Sequence, residues 1–257
     1  NAVGNGDASF TTGDIVAAGD GKGEVSVSGA TLNSGKIGDS TKKVETVSAN
    51  SGTVNAASIN TGTLAASNGL ITAEKDITVT NAVDGTTGSL TNSLIHSAKG
   101  DVTLIYGASN ASGAIVADMG DIKTTNAGIT VADGAELIVE SGKAINVGSG
   151  DIAATNVQAG TTITAADVTA TNVQAKTLDA SGDVTVSGGV LNTTGTGADA
   201  SSVDGTLNLS DATARVGDLT AGATTLSNGS SLSAEKLIMS GDLTVGSNAD
   251  TKGGTTL

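Results

Sequence analysis

Residues 151–186 read DIAATNVQAGTTITAADVTATNVQAKTLDASGDVTV, and this stretch decides the fold. Within it, the segments 151–159 (DIAATNVQA) and 167–175 (DVTATNVQA) agree at seven of nine positions, and the second begins sixteen positions after the first. Self-similarity at a short, fixed period is typical of solenoids, in which each repeat is one coil stacked on its neighbour. We therefore expect Asn156 to lie next to Asn172, and Gln158 next to Gln174, with hydrogen-bonded amide ladders along the stack.

Small aliphatic residues recur at every fifth or sixth position through the same stretch; they are Ile152, Val157, Ile163, Val168, Val173, Leu178 and Val184. Three such steps make about one coil of the repeat, which predicts a three-sided coil with one inward aliphatic residue on each side. The same rhythm appears at Val54, Ile59, Leu64 and Leu70, and again at Leu219, Leu226, Leu232 and Leu237.

Strand-like segments are short and alternate with a period of two, and most are followed at once by turn residues. Examples are Val25–Val27, Ile77–Val79, Ile145–Val147, Val184–Val186, Leu207–Leu209 and Leu243–Val245. Several strands are entered through Gly-Asp, as at Gly150-Asp151 and Gly182-Asp183, where we expect the aspartate to bond its own following backbone. Helical signals are nearly absent, because Gly, Ser, Thr, Asn and Val are poor helix formers.

Composition supports a thin, continuous β structure. The 257 residues include no proline, cysteine or tryptophan, and Phe10 and Tyr106 are the only aromatic residues. Each proline would remove a backbone donor from a ladder, and a narrow core has no room for rings. We therefore predict an all-β fold, a single-stranded parallel β-helix (β-solenoid) with roughly 16–20 residues per coil. Residues 1–257 would form one continuous solenoid, as a fragment or processed part of a longer chain or as a stacking subunit.

The open ends of a solenoid are templates for further strand pairing. Phe10, with Thr11 and Thr12, is a candidate cap for the first end, with its ring buried over the top coil. The other end, at residues 251–257, shows no capping signature, so we expect self-association end to end or along the rod.

The chain is acidic, with 12 basic and 26 acidic residues and a formal net charge of −14. Such a surface repels phosphate, which argues against nucleic acid and anionic membranes as partners. No apolar run approaches the ~18 residues that cross a bilayer. The absence of cysteine excludes disulfides and thiolate chemistry.

Catalytic and metal signals are weak. His96 is the single histidine and has no Cys or His near it, so we interpret it as an outward strand residue. Arg215 is the single arginine, and the acidic residues stand singly at corners. We predict no enzymatic activity, no catalytic residues and no cofactor. Weak divalent cation binding, calcium included, stays open at three oxygen-rich segments: residues 5–7, 20–24 and 148–151.

The Gly-Asp-aliphatic strands, as at residues 182–186, and the GVLNTTG run at residues 189–195 resemble bacterial filamentous-haemagglutinin-like adhesins and autotransporter passengers. The resemblance overlaps with surface-layer and sheath proteins, which share the acidic, cysteine-free, Thr/Ala/Gly-rich character. It implies export, an extracellular or cell-surface location on a bacterium, and a structural or adhesive role. It carries no functional residues over to this chain.

Three functions follow as hypotheses. The first is a rod segment of a bacterial surface filament, adhesin stalk or surface coat. The second is an adhesive binding module for a host or cell-surface partner, which outward apolar residues such as Ile105 or Ile138 would favour. The third is a polysaccharide-acting enzyme, which would need a long loop and clustered carboxylates.

Overall fold

The computed structural model describes residues 2–80, 90–91, 93–97, 102–104, 108–111, 113–117, 122–123, 129–131, 136–139 and 143–255. Nearly all of these residues belong to short strands. In chain order the strands are β1 (Ala2–Thr11), β2 (Glu24–Asn33), β3 (Lys36–Ile37), β4 (Val44–Asn50), β5 (Thr53–Ala56), β6 (Ser58–Ser67), β7 (Leu70–Ala73), β8 (Ile77–Val79), β9 (Leu90–Thr91), β10 (Ser93–Ser97), β11 (Val102–Leu104), β12 (Ala108–Ala111), β13 (Gly113–Ala117), β14 (Ile122–Lys123), β15 (Ile129–Val131), β16 (Glu136–Val139), β17 (Ile145–Asn146), β18 (Ile152–Gln158), β19 (Thr162–Ala165), β20 (Val168–Ala175), β21 (Thr177–Ala180), β22 (Val184–Ser187), β23 (Val190–Thr193), β24 (Ser201–Ser210), β25 (Thr213–Ser227), β26 (Ser231–Met239), β27 (Leu243–Val245) and β28 (Asp250–Thr255). A single 3-10 turn, Gly197–Asp199, interrupts the described strands.

The strands stack in parallel, coil upon coil, and each coil has three sides that we name faces A, B and C. Face A is defined by an inward column formed by Phe10, Leu32, Val54, Ile71, Ile95, Ile115, Leu137, Val157, Val173, Leu191, Ala214 and Leu232. Face B has the inward residues Val25, Val47 and Leu64 near the first end, and Ile152, Val168, Val184, Leu207, Thr224 and Leu243 further along. Face C has Ile15, Ile37, Ile59, Ile77, Val102, Ile122, Ile145, Ile163 and Leu178, followed by Ser201, Leu219 and Leu237.

This architecture confirms the predicted β-solenoid. The three-sided coil is also confirmed, since the seven aliphatic residues between Ile152 and Val184 visit faces B, A and C in turn. Paired residues on face A are sixteen positions apart at the closest, as between Val157 and Val173, and twenty-four apart between Ile71 and Ile95. The longer coil between Leu191 and Ala214 includes the 3-10 turn Gly197–Asp199, which lies outside the stacked strands. The eleven steps of face A, at ~4.8 Å each, give a rod about 53 Å long.

The register predicted from the sequence match is confirmed. Asn156 pairs with Asn172 and Gln158 with Gln174. The Asn172 Nδ2 donates to Asn156 Oδ1 over 2.7 Å, which is one rung of an amide ladder. A second rung joins Asn55 Nδ2 to Asn33 Oδ1 over 2.9 Å.

Two details of the predicted core were wrong. Ile71 is the fully buried residue of its strand, and Leu70 beside it is only half-buried. The two adjacent aliphatic residues fit the same rhythm, so their spacing could not separate them. Phe10 stacks above Leu32, but its ring is 41% exposed instead of buried, because no described strand lies above it on face A.

The Gly-Asp corners also work differently from the expected local turn. Asp151 Oδ1 accepts the backbone N–H of Asp167 over 3.2 Å, and Asp167 Oδ1 accepts that of Asp183 over 2.7 Å. Asp183 Oδ1 accepts the N–H of Thr206 over 2.7 Å. Each carboxylate therefore ties its own coil to the next one, so these aspartates extend the backbone ladder around the corner.

Two buried threonines form a matched pair. Thr224 lies between Leu207 and Leu243 in the face B column, and its hydroxyl has no hydrogen-bond partner within the described part of the chain. Thr61 is equally buried, but its hydroxyl donates to the Thr63 carbonyl over 2.8 Å. A buried polar group without a partner is destabilising, whereas a bonded one stabilises modestly.

Thr224→Val should therefore raise the free energy of unfolding by about 1 kcal/mol, because valine keeps the shape and removes the unpaired hydroxyl. Thr61→Val should lower it by about 1 kcal/mol, because a formed hydrogen bond is lost. Urea unfolding of both variants checks this pair. Equal effects of the two substitutions would contradict the assignment.

Candidate functional site: the outer surface of face A

The outer surface of face A is formed by the residues on either side of its inward column. One outward row has the described side chains of Ser9, Thr31, Thr53, Leu70, Asn156, Asn172, Val190, Thr213 and Ser231. The other has those of Thr11, Asn33, Asn55, Thr72, His96, Ile138, Gln158, Gln174, Asn192, Arg215 and Ser233. Side chains alternate between the two surfaces of a strand, so these residues share one outer surface.

This surface is almost uncharged although the whole chain has a net charge of −14. Among the described side chains of its two rows, the titratable ones are Arg215 and His96. Nine of the described acidic residues lie beside the other two inward columns: Glu24, Asp151, Asp167, Asp183 and Asp242 on face B, and Asp14, Asp76, Asp179 and Asp218 on face C. Face A therefore forms a neutral strip along an acidic rod.

A shallow groove of about 390 Å³ runs across the neutral strip. Its lining residues are Ile138, Asn156, Val157, Gln158, Asn172, Val173, Gln174, Val190 and Asn192. Gln158 and Gln174 are exposed, and Val190 is 41% exposed. The groove thus presents amides around an apolar floor.

The amides of the groove are held in place by the coil stack. Asn172 Nδ2 donates to Asn156, and Asn172 Oδ1 accepts the backbone N–H of Val190 over 3.0 Å. Each amide has both donors and acceptors, so the row can bond neutral hydroxyls, amides or peptide groups. The chemistry of the groove is hydrogen bonding to an uncharged partner.

The structure places the predicted candidates apart from one another. His96 is a half-buried outward residue of β10, as the sequence predicted. Arg215 lies exposed in a second shallow groove of about 320 Å³, together with Asn192 and Glu235. Ile138 is half-buried and lines the amide groove, whereas Ile105 and Tyr106 lie outside the described residues.

The three oxygen-rich segments do not come together. Residues 5–7 belong to strand β1 and not to a turn. Asp20 and Asp151 are each engaged with the following coil, through Lys43 and the Asp167 N–H respectively. In the described part of the chain no group of three or more His, Cys, Asp or Glu residues could hold a metal ion. Weak cation binding stays a prediction.

Two exposed carboxylates near the first end have perturbed acidity. A side-chain hydrogen bond from Lys43 lowers the pKa of Asp20 below 3.8. Hydrogen bonds from the Thr41 hydroxyl and from the backbone N–H groups of Thr41 and Lys42 lower the pKa of Asp39 below 3.8. Both carboxylates fasten loops outside the core and have no role in the groove.

Asp39 should therefore titrate with a pKa below 3.8, and Thr41→Val should bring this pKa closer to 3.8 because the hydroxyl donor is lost. Since folding lowers this pKa, its contribution to stability is present above pH ~4 and is lost as pH falls through the folded value. Carboxyl chemical shifts followed by NMR give the measurement. Ser40→Ala, in the same loop, should leave the Asp39 titration unchanged.

The neutrality of face A was not predicted from the sequence. The residues that flank each inward aliphatic residue of face A are mostly uncharged in the sequence. This pattern becomes visible only when every residue has been assigned to a coil and a face. Only residues 151–186 repeat clearly enough to assign coils beforehand.

Within the described residues no helix has the length and apolar character needed to cross a membrane. The chain matches no family model, no curated protein and no solved structure. The β-solenoid fold and the neutral groove are therefore the grounds for any functional conclusion.

Proposed function

We propose that the chain is a structural protein, a rod segment of a bacterial surface filament, adhesin stalk or surface coat outside the cell. The observation that carries the proposal is the unbroken column of face A, in which each inward residue pairs with the next from Phe10 to Leu232. A stack of this kind transmits load through every coil and is lengthened simply by adding coils.

Energetics favour the same role. Each coil buries about three aliphatic side chains, worth roughly 1.5–3 kcal/mol each before the cost of ordering the chain. One coil cannot fold alone, so stability comes from neighbours on both sides. The rod is therefore a continuous element with cooperatively coupled coils, which suits a spacer or a filament.

The chemistry of the described carboxylates supports a role without catalysis and without a cofactor. Asp151, Asp167 and Asp183 each use an oxygen to bind the backbone of the next coil. Two carboxylates converging across a cleft would be needed for glycoside hydrolysis. We accordingly place polysaccharide cleavage behind the structural role.

An adhesive binding module is the second candidate, and the amide groove is the observation that favours it. Val190 and Ile138 give the groove an apolar floor, and Gln158 and Gln174 supply polar contacts. Val190→Asp should then abolish binding to host or neighbouring cells, whereas Thr169→Asp on face B should not. Flow cytometry with labelled protein measures both.

Electron microscopy of the purified protein tests the structural role. Long fibres or sheets of constant width support it. Dispersed short rods that shorten a polysaccharide, seen as new reducing ends, would overturn it. Short rods that bind cells through Val190 would favour the adhesive module.

A further inference from the structure

We propose that the outer surface of face A is an interface at which a second copy of this chain associates side by side with the first. The proposed partner of the neutral strip is a second copy, whether or not the rod belongs to a filament or a coat. The proposal rests on the chemistry, charge and area of the described strands.

The outer surface of face A is complementary to itself. Its rows consist mostly of threonine, serine, asparagine and glutamine, whose hydroxyls and amides both donate and accept hydrogen bonds. A surface of pure donors or pure acceptors would need a different partner. A surface with both kinds of group can pair with an identical copy, as a two-fold interface requires.

Electrostatic repulsion favours face A over face B as the contact between two copies. Two copies of a chain with a net charge of −14 repel each other, and at physiological salt the repulsion acts over about 8 Å. Contact through face B would bring the stacked Asp151, Asp167 and Asp183 against a second acidic row. Contact through face A keeps these carboxylates away from the interface, because its rows are nearly neutral.

The neutral strip also has the area of a specific interface. The strip is about 53 Å long and one four-residue strand, about 13 Å, wide. It therefore offers about 700 Å² per copy, or about 1,400 Å² in total, which lies within the range of specific interfaces. Ile138 and Val190, of which Val190 is 41% exposed, line the amide groove and supply apolar contacts to such an interface.

Sedimentation velocity over a concentration series tests the proposal. The protein should pass from one chain of 24.5 kDa to about twice that mass as its concentration rises into the micromolar range. Gln158→Glu/Gln174→Glu places two charges in the strip and should weaken the association at least tenfold. Thr169→Glu/Thr220→Glu adds the same charge on faces B and C, at exposed positions, and should leave the association intact.

Circular dichroism of each variant confirms that the β fold is kept.

A protein that stays a single chain at all concentrations overturns the proposal. Equal weakening of the association by the glutamate variant of face A and by that of faces B and C also overturns it. Binding of a glycan or another protein in the groove, while the chain remains single, overturns it as well.

Discussion

Replacing Gly38 with alanine is expected to lower the free energy of unfolding by at least about 3 kcal/mol. Gly38 is buried at the corner after β3, with a φ of +65°. A methyl group there would collide with the carbonyl oxygen of Asn60 and would stand 3.0 Å from the backbone nitrogen of Val44. The strain of an alanine in the left-handed region adds to the steric clash with the next coil. To relieve the clash, the coil of Gly38 would have to separate from the coil of Asn60.

Gly148 provides the control, because its φ of +62° is nearly the same and nothing lies within 4 Å of a methyl group added there. Gly148→Ala should therefore lower stability by only about 1 kcal/mol, the cost of the left-handed backbone. Chemical unfolding of the two variants isolates the effect of coil contact. Equal destabilisation would show that Gly38 does not lie against the neighbouring coil.

Deleting residues 167–182 should remove one whole coil and leave a folded, shorter rod. The length of the deletion equals the spacing between Val168 and Val184, which are paired on neighbouring coils. Val184 would therefore take the place of Val168 next to Ile152. Every later side chain keeps its face. Stability in stacked repeats is a sum over neighbours, so we expect the melting temperature to fall by no more than about 5 °C.

The matched control is the shorter deletion of residues 167–174, which removes about half of that coil. Leu178 would then follow Ile163 after too few residues to circle the rod, and the remaining half coil would lose its ladder partners. We expect this variant to melt at least about 10 °C below the unaltered protein. Thermal unfolding followed by circular dichroism measures the melting temperatures of both variants. If the shorter deletion lowered the melting temperature no more than the longer one, the result would contradict the stacked coil.

The sequence allowed prediction of the fold class, the three-sided coil and the register of the stacked amides, because each follows from the spacing of nearby residues. One inward residue per side needs only an aliphatic residue at every fifth or sixth position, and two nearly identical segments fix the offset of Asn156 and Asn172. The register of the longer coils, such as the one between Ile71 and Ile95, was not predictable. Their lengths depend on how many residues each corner carries, and no local pattern sets that number.

Side-chain roles at the corners lay beyond sequence reasoning for a similar reason. An aspartate before a strand fits a local turn as well as a bond to the next coil, and only the stack brings the Asp183 carboxylate to the N–H of Thr206. The neutral strip is a property of two rows that run across twelve coils. Its recognition requires knowing which of the three sides each residue occupies.

A disulfide across neighbouring coils is the most direct test of the stacked register. The chain has no cysteine, so Thr169→Cys/Thr185→Cys introduces a single pair, on strands that face each other in register on face B. Paired strands lie about 4.8 Å apart, within the range that a disulfide bridges. Thr169→Cys/Ser187→Cys shifts one partner by two positions along the strand, which places the pair about 8 Å apart and outside that range. The solenoid predicts rapid, complete oxidation within the first variant as a single chain and none within the second. Free thiols in the first variant, or equal oxidation of both, would contradict it.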